Sequence, residues 1–355
     1  MADPVVLVTG GSGMLGRALA QRLHQAYTVV GLDVVEPPAD VPFDAVHYMD
    51  LTSPMSTRYT LRAIREEHGA QLAAVVHLAA YHDLSGDESP LYDQITVGGT
   101  RRLLKMLEDF DVDRFVFSST MLVHAPVKPG EKVREDSPLD ARWAYPRSKL
   151  ETERLIEAHE PHIPYTLLRI AGVYTGFGKQ PALSHQIERI YEQEFKSFFF
   201  PGDSEAGQSM VHIDDAVEAL ALTVERREQL RDGPILIGEP VPLGYAELQD
   251  RIGTLIWGEE WPTIRVPGAF AKAAAWLEEQ ASDEAFIKPY MISLADDHYA
   301  LDISRAQRWL GWEPERRLED ELPGIIDTLR SYPVAWQHAN GLLEPELGES
   351  KAPGS

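Results

Sequence analysis

The chain of 355 residues contains no cysteine. Disulfides, thiolate nucleophiles, zinc–cysteine sites and iron–sulfur clusters are thereby excluded together. Positive charge is scarce, with 33 Lys and Arg against 56 Asp and Glu, a formal net charge of −23. A nucleic acid needs a basic face to displace its counterions, and an anionic membrane surface asks the same, so neither partner is expected. Long apolar runs are missing too. Met1-Ala2-Asp3-Pro4 leads straight into Val5-Val6-Leu7-Val8 without a basic flank or hydrophobic leader, the beginning expected of a cytoplasmic chain. What remains, 44% hydrophobic and 25% charged, is the balance of a folded globular protein and excludes disorder of the whole chain.

At roughly 150 residues per domain, this length suggests about two units. Through the first half, short apolar runs alternate with helical patterns. Val5 to Thr9, Tyr27 to Asp33, Ala45 to Met49, Ala73 to Leu78, Arg114 to Ser118 and Tyr165 to Ile170 read as strands. Met14 to Gln25 carries Leu15, Leu19 and Leu23 at helical spacing, and 54–68, 90–109 and 146–160 read as further helices. Strands apolar throughout and separated by helices predict an α/β fold, a doubly wound parallel sheet covered on both faces. After about residue 172 the alternation loosens. Val211 to Arg226 and Pro234 to Gly238 read as late sheet elements, and Ser304 to Leu310 as a helix. The expected division is 1–172 for the sheet domain, 173–345 mainly for a smaller lobe interleaved with late sheet elements, and 346–355 for a disordered tail.

Directly after the first strand stands Thr9-Gly10-Gly11-Ser12-Gly13-Met14-Leu15-Gly16, opening the first helix. Gly10 allows a tight turn, Gly13 lets the backbone approach a pyrophosphate, and Gly16 lets helix and strand pack closely. Free N–H groups and the positive end of the helix dipole then face the phosphates. The second strand ends at Asp33, where a carboxylate can accept hydrogen bonds from the adenosine ribose hydroxyls. That favours NAD, because a 2′-phosphate would meet negative charge with Val34, not Arg, at the next position.

Tyr145-Pro146-Arg147-Ser148-Lys149 puts Tyr and Lys four apart on one face of a helix. A neighbouring ammonium is expected to lower the phenol's pKa and make it available as a general base. Upstream, Phe117-Ser118-Ser119-Thr120 ends a strand with a hydroxyl at the sheet edge where ligands bind. In this order the motifs resemble the extended short-chain dehydrogenase/reductase family, the NAD-dependent epimerase/dehydratase group. The resemblance runs from about residue 4 to 240, through TGGSGMLG, Asp33, Asp50-Leu51, HLAA at 77–80, GT at 99–100, FSST, YPRSK, LRIAGVY at 168–174 and VHIDDAVEAL at 211–220.

The resemblance implies a Rossmann domain binding NAD, a C-terminal substrate-binding lobe, a small-molecule substrate, and a homodimer through the helices at 90–109 and 146–160. Gly10, Ser12, Gly13, Met14, Leu15 and Gly16 would form the pyrophosphate loop, Asp33 would hold the ribose, and Asp50 and Leu51 would touch the adenine. Leu78, Ala79 and Ala80 would run along the cofactor. Tyr145 would be the acid/base, Lys149 its partner and ribose contact, and Thr120 the hydroxyl that orients the substrate oxygen. The chemistry implied is hydride transfer at a secondary alcohol or ketone, in an epimerase or a dehydrogenase.

Departures from the family pattern bear on the substrate. Thr96 stands where an Asn is usual before the GT pair, a mainly structural position. Gly172 replaces an Asn that sugar-nucleotide enzymes often use, and Gly207-Gln208-Ser209-Met210 lacks an Arg they commonly carry for the nucleotide's phosphates. Lys179, Arg189 or Lys196 would have to substitute. Met121-Leu122 follows Thr120 where 4,6-dehydratases have an acidic pair, which disfavours elimination. Tyr81 and His82 are expected in the pocket wall, with His82-Asp83 as an extra acid/base pair the competing reading.

Other features have plainer explanations. Asp296-Asp297-His298 has no spaced partner, so no metal is expected and the stretch more simply orders a loop. Asp214-Asp215 reads as helix capping, and Phe198-Phe199-Phe200 as a buried strand. Trp257, Trp261, Trp276, Trp309, Trp312 and Trp336 fit core or interface better than a substrate pocket. Three functions stay open: an NAD-dependent oxidoreductase or epimerase acting on a sugar-like alcohol, a simple dehydrogenase/reductase of an uncharged cyclic alcohol, and a catalytically silent cofactor-binding protein.

Overall fold

The computed structural model describes residues 3–266 and 295–343. Seven parallel strands form the central sheet: β1 (Val5–Thr9), β2 (Thr28–Asp33), β3 (Ala45–Tyr48), β4 (Ala74–His77), β5 (Phe115–Thr120), β6 (Tyr165–Ile170) and β7 (Gly233–Ile237). Their spatial order is β7-β6-β5-β4-β1-β2-β3. The order reverses between β1 and β4, which opens a crevice beyond the carboxyl ends of those two strands.

Side chains alternate across the sheet and meet helices on both faces. On one face Val6, Val8, Ile235 and Ile237 pack with Leu19 and Leu23 of α1 (Met14–Leu23) and with Leu220 and Val224. On the other, Leu7, Val75, Phe115 and Leu167 pack with Leu61 and Ile64 of α2 (Pro54–His68), Leu103 and Leu107 of α3 (Gly98–Leu107), and Ile156 of α4 (Ala144–Glu157). Locally, α2 begins where Ser53 accepts from the Ser56 amide and Pro54 takes the first turn. The stretch expected as one helix over 90–109 divides: Tyr92–Val97 is a π-helical turn, and α3 starts at Gly98. A Cβ on Gly98 would lie 2.8 Å from the Asp93 carbonyl oxygen, so the wider turn requires glycine there.

Beyond β6, α5 (Pro181–Tyr191), α7 (Tyr245–Trp257) and the helix Leu318–Ser331 build a separate apolar core around Trp336. Between them, α6 (Ile213–Glu225) and β7 return to the sheet, and Gly172–Tyr174 pairs with Met210–His212. Trp261, Trp312 and Trp336 are buried in the core. Trp312 donates to the Asp215 carbonyl and Trp261 to the Ser197 hydroxyl. Trp276 and the tail at 346–355 lie outside the described residues. Phe199–Phe200 is a short strand as expected, but both rings are half-buried, because Phe200 stacks on Tyr245 at the lobe's margin.

The capping role expected of Asp214 and Asp215 is corrected. His212 caps α6, its Nδ1 accepting from the Asp214 amide. Asp215 is buried, and its carboxylate accepts the amides of Glu315 and Arg316, fastening the C-terminal segment to α6. Asp214 lies at the surface, 3.2 Å from Arg316. Asp215→Ala, which strands two amides, is expected to lower stability by about 2–4 kcal/mol, and Asp214→Ala by under about 1 kcal/mol. Urea unfolding of the two variants distinguishes this from a capping role, which would weight them alike.

Candidate active site

The glycine loop crosses the mouth of the crevice. Gly10 has φ of 70° and donates to the Leu32 carbonyl. A Cβ there would lie 2.9 Å from the Ala79 amide nitrogen, and one on Gly16 only 2.3 Å from the Gly10 carbonyl oxygen. Gly13 differs: the nearest atom to its virtual Cβ is the Gly10 oxygen at 3.2 Å, so its outer side is free for a ligand. The first-turn amides of Met14 and Leu15 have no helical carbonyl to bond and point toward that space. Asp33 accepts from the Ser12 amide at 2.9 Å and from the Val34 amide, and Ser12 Oγ donates to the Val35 carbonyl. Loop, dipole and carboxylate thus fit a dinucleotide whose ribose carries free hydroxyls.

Not every expected contact stands equally ready. Asp50 accepts from the Thr52 amide and hydroxyl. Leu51 is buried against α3, where its Cβ would come within 3.0 Å of a Cβ on Gly99. Leu78 and Ala79 are tied to β1, their amides donating to the Thr9 carbonyl and hydroxyl.

Tyr145 and Lys149 occupy successive turns of α4, and both are buried beside the carboxyl end of β5. The Tyr145 hydroxyl faces Thr120, whose own Oγ1 accepts from the Leu122 amide. Lys149 Nζ donates to the Ser118 carbonyl at 2.8 Å and lies 5.9 Å from the Tyr145 ring centre. The expectation that the ammonium lowers the phenol's pKa is corrected. Burial dominates and pushes Tyr145 up to about 12, with the Thr120 hydroxyl pulling the other way. Burial likewise brings Lys149 down to about 7, against the attraction of Glu153.

Three buried groups that sequence reasoning passed over support this pair. His77 lies between Thr9 and Thr100 at 2.6 and 2.9 Å. Burial and the charge of Lys149 lower its pKa to about 3, so the ring is neutral. Because the Thr100 hydroxyl donates to the Thr96 carbonyl, it must accept from His77 Nε2–H, leaving Nδ1 to accept from Thr9. Glu153, one turn after Lys149, accepts a bidentate Arg169 at 3.0 and 2.7 Å and also the Ser119 hydroxyl. The i, i+4 spacing from Lys149 to Glu153 was a usable signal; the partner on β6 had none.

His82, though exposed on its outer side, packs edge-on against Tyr145 at 5.1 Å, and desolvation together with the charge of Lys149 lowers its pKa. Asp83 accepts from Tyr81 Oη and the Ser85 amide. Tyr81 packs edge-on against Tyr92, and its amide donates to Thr96, the residue in place of the usual Asn. Met121 is buried. Gly172 leaves room that Gln180 takes, 3.3 Å from a virtual Cβ. The 296–298 stretch is a clasp with Asp297 and His298 buried and Asp296 at the surface: Asp297 pairs with Arg142, Asp296 accepts from the Asp203 amide, and His298 from the Gly207 amide.

A sequence profile described as the NAD dependent epimerase/dehydratase family matches residues 6–238. The chain is 30% identical over 346 residues to short-chain dehydrogenase/reductase family 42E member 1 of Bos taurus, spanning 87% of this chain and 84% of that protein. It is 25% identical over 337 residues to UDP-glucuronate 4-epimerase of Thermodesulfobacterium geofontis, spanning 90% and 94%. Among solved structures it is similar to UDP-glucuronic acid 4-epimerase from Bacillus cereus in complex with UDP-glucuronic acid and NAD. That likeness has a TM-score of 0.69 at 22% identity and covers 92% of this chain and 99% of that one.

Glu153→Gln leaves the Arg169 guanidinium buried without its counter-charge, for an expected loss of about 3–5 kcal/mol in urea unfolding. A loss below about 1 kcal/mol would show that water reaches the pair.

Proposed function

Because the chain belongs to the NAD-dependent epimerase/dehydratase family, with NAD as its cofactor, we propose that it oxidises a secondary alcohol or reduces the matching ketone, with Tyr145 as the acid/base. The observation that carries this reading is the burial of Tyr145 and Lys149 on successive turns of α4, with Lys149 Nζ donating to the Ser118 carbonyl at the carboxyl end of β5 where Thr120 stands. Bound NAD supplies a hydride acceptor or, when reduced, a hydride donor. Tyr145 takes the proton from the substrate hydroxyl in one direction and returns it to the carbonyl oxygen in the other. Thr120 orients that same oxygen. Lys149, held by the Ser118 carbonyl, stands ready for the cofactor's ribose. Asp33 selects NAD through charge.

A sugar-like secondary alcohol is supported by the epimerases among the relatives. One observation favours the second reading, a dehydrogenase of an uncharged ring. The stretch Gly207–Met210 is threaded through the structure: Ser209 donates to the Glu239 carbonyl, and a Cβ on Gly207 would lie 2.1 Å from the Leu243 oxygen. None of these four residues carries a cation to clamp a diphosphate. Arg189 donates to the His185 carbonyl and hydrogen-bonds Tyr245.

Purified protein incubated with NAD and candidate alcohols separates the readings, since an epimerase accumulates product without net NADH and a dehydrogenase accumulates both. Tyr145→Phe should lower turnover about 10²- to 10⁴-fold while NAD binding by calorimetry persists; unchanged turnover refutes the acid/base role. The phenol pushed up to about 12 fixes a sign. Alcohol oxidation needs its unprotonated form, which grows as pH rises toward that value, so kcat/KM for oxidation should climb with pH through the neutral range. Ketone reduction, which uses the protonated form, should not climb. Profiles in both directions check this.

A further inference from the structure

On the edge of the sheet away from the crevice, His47 of β3 and Glu67 and His68 at the end of α2 bring three donor atoms together, all within 4.8 Å of one another. Glu67 Oε2 lies 3.3 Å from His47 Nε2 and 3.8 Å from His68 Nε2. Both imidazole nitrogens are buried, and neither has a hydrogen-bond partner among the described residues. A buried polar nitrogen without a partner costs roughly 1–3 kcal/mol, so two converging on one carboxylate oxygen call for a third body between them.

We propose that His47, Glu67 and His68 bind one divalent transition-metal ion of the zinc type. Ligands at about 2.0–2.1 Å in a tetrahedron stand roughly 3.3 Å from each other, the separation of His47 from Glu67, and His68 at 3.8 Å has only to close by a small side-chain shift. Two imidazoles and one carboxylate suit zinc, cobalt or nickel; calcium and magnesium require a shell of oxygens instead. Glu67 is half-exposed, which leaves water to complete the coordination. The chain's net charge of −23 concentrates cations around it, and with no thiol present imidazole is the softest ligand available. The ion would tie the last strand of the sheet to a helix end. That strand is a free edge exposing Val46 and Tyr48, so the clamp falls where main-chain pairing stops.

Untagged, chelator-treated protein, titrated with zinc by calorimetry and with cobalt by visible absorption, tests the site. One equivalent of zinc per chain and a higher unfolding temperature in zinc are expected. Glu67→Gln and His68→Ala should each weaken binding by at least about tenfold and remove the thermal shift. Far-UV circular dichroism in chelator reports whether each variant folds; Glu67→Gln, altering a half-exposed side chain, decides the matter if the imidazole variant does not. Absence of stoichiometric binding, or binding unchanged in a folded variant, overturns the proposal and leaves a proton shared between imidazole and carboxylate as the bridging body.

Discussion

The seam between β1 and β4 governs everything built at the carboxyl edge of the sheet. Strand order reverses there, and the two chains must separate enough to admit a ligand while staying in register below it. His77 reconciles these demands. Its neutral ring continues a chain of hydrogen bonds from the Ala79 amide through the Thr9 hydroxyl, and onward through Thr100 to the Thr96 carbonyl. Every donor has a direction, so the tautomer is set by its neighbours. Thr96 then receives the Tyr81 amide, which positions the loop carrying His82 against Tyr145. One buried imidazole therefore joins the end of β1, where the glycine loop begins, to the loop that packs on Tyr145.

Burial also decides the charge states of Tyr145 and Lys149. A phenol and an ammonium side by side in water would lower the phenol's pKa, but inside this crevice removal of water outweighs their attraction. The phenol stays protonated and the ammonium becomes easy to discharge. The attraction of Glu153 one turn away opposes the loss of charge on Lys149, and Glu153 is itself held in position by the bidentate Arg169. A positive group, a negative group and a second positive group are stacked from the crevice into the core. Removing any one leaves a neighbour buried without compensation.

Legibility in the sequence follows the range of the forces involved. The helices at 54–68 and 304–310 appear with the bounds read from the sequence, because Ser53 with Pro54 and the left-handed Gly311 are local signals. The glycine loop and Asp33 are legible for the same reason: spacing along the chain dictates their placement in space. The π-helical turn before α3 was hidden, since it depends on how closely Gly98 approaches the Asp93 carbonyl. Asp215 read as a cap because its partners, Glu315 and Arg316, lie about a hundred residues away. The direction of the Tyr145 shift was beyond any motif, being the sum of burial by α4, β5 and the 81–84 loop.

The same distinction bears on how an acidic protein holds anionic ligands. A pyrophosphate on the glycine loop is met by amides and a helix dipole, which no distant carboxylate can neutralise or replace. A second ligand would depend on side-chain cations, and three of the described arginines already have partners. Arg169 is tied to Glu153, Arg142 to Asp297, and Arg189 to the His185 carbonyl and Tyr245. Freeing one of them would break a buried pair or strand a carbonyl, at an expense of about 1–5 kcal/mol before any contact with substrate forms. Backbone recognition is thus compatible with a charge of −23, whereas side-chain recognition of a diphosphate would have to overcome both the charge and the prior partners. Around Tyr145 itself the packing partners are Tyr81, Leu84, Leu122, Trp143 and the ring of His82, aromatic or apolar groups that offer ring contacts and no fixed charge.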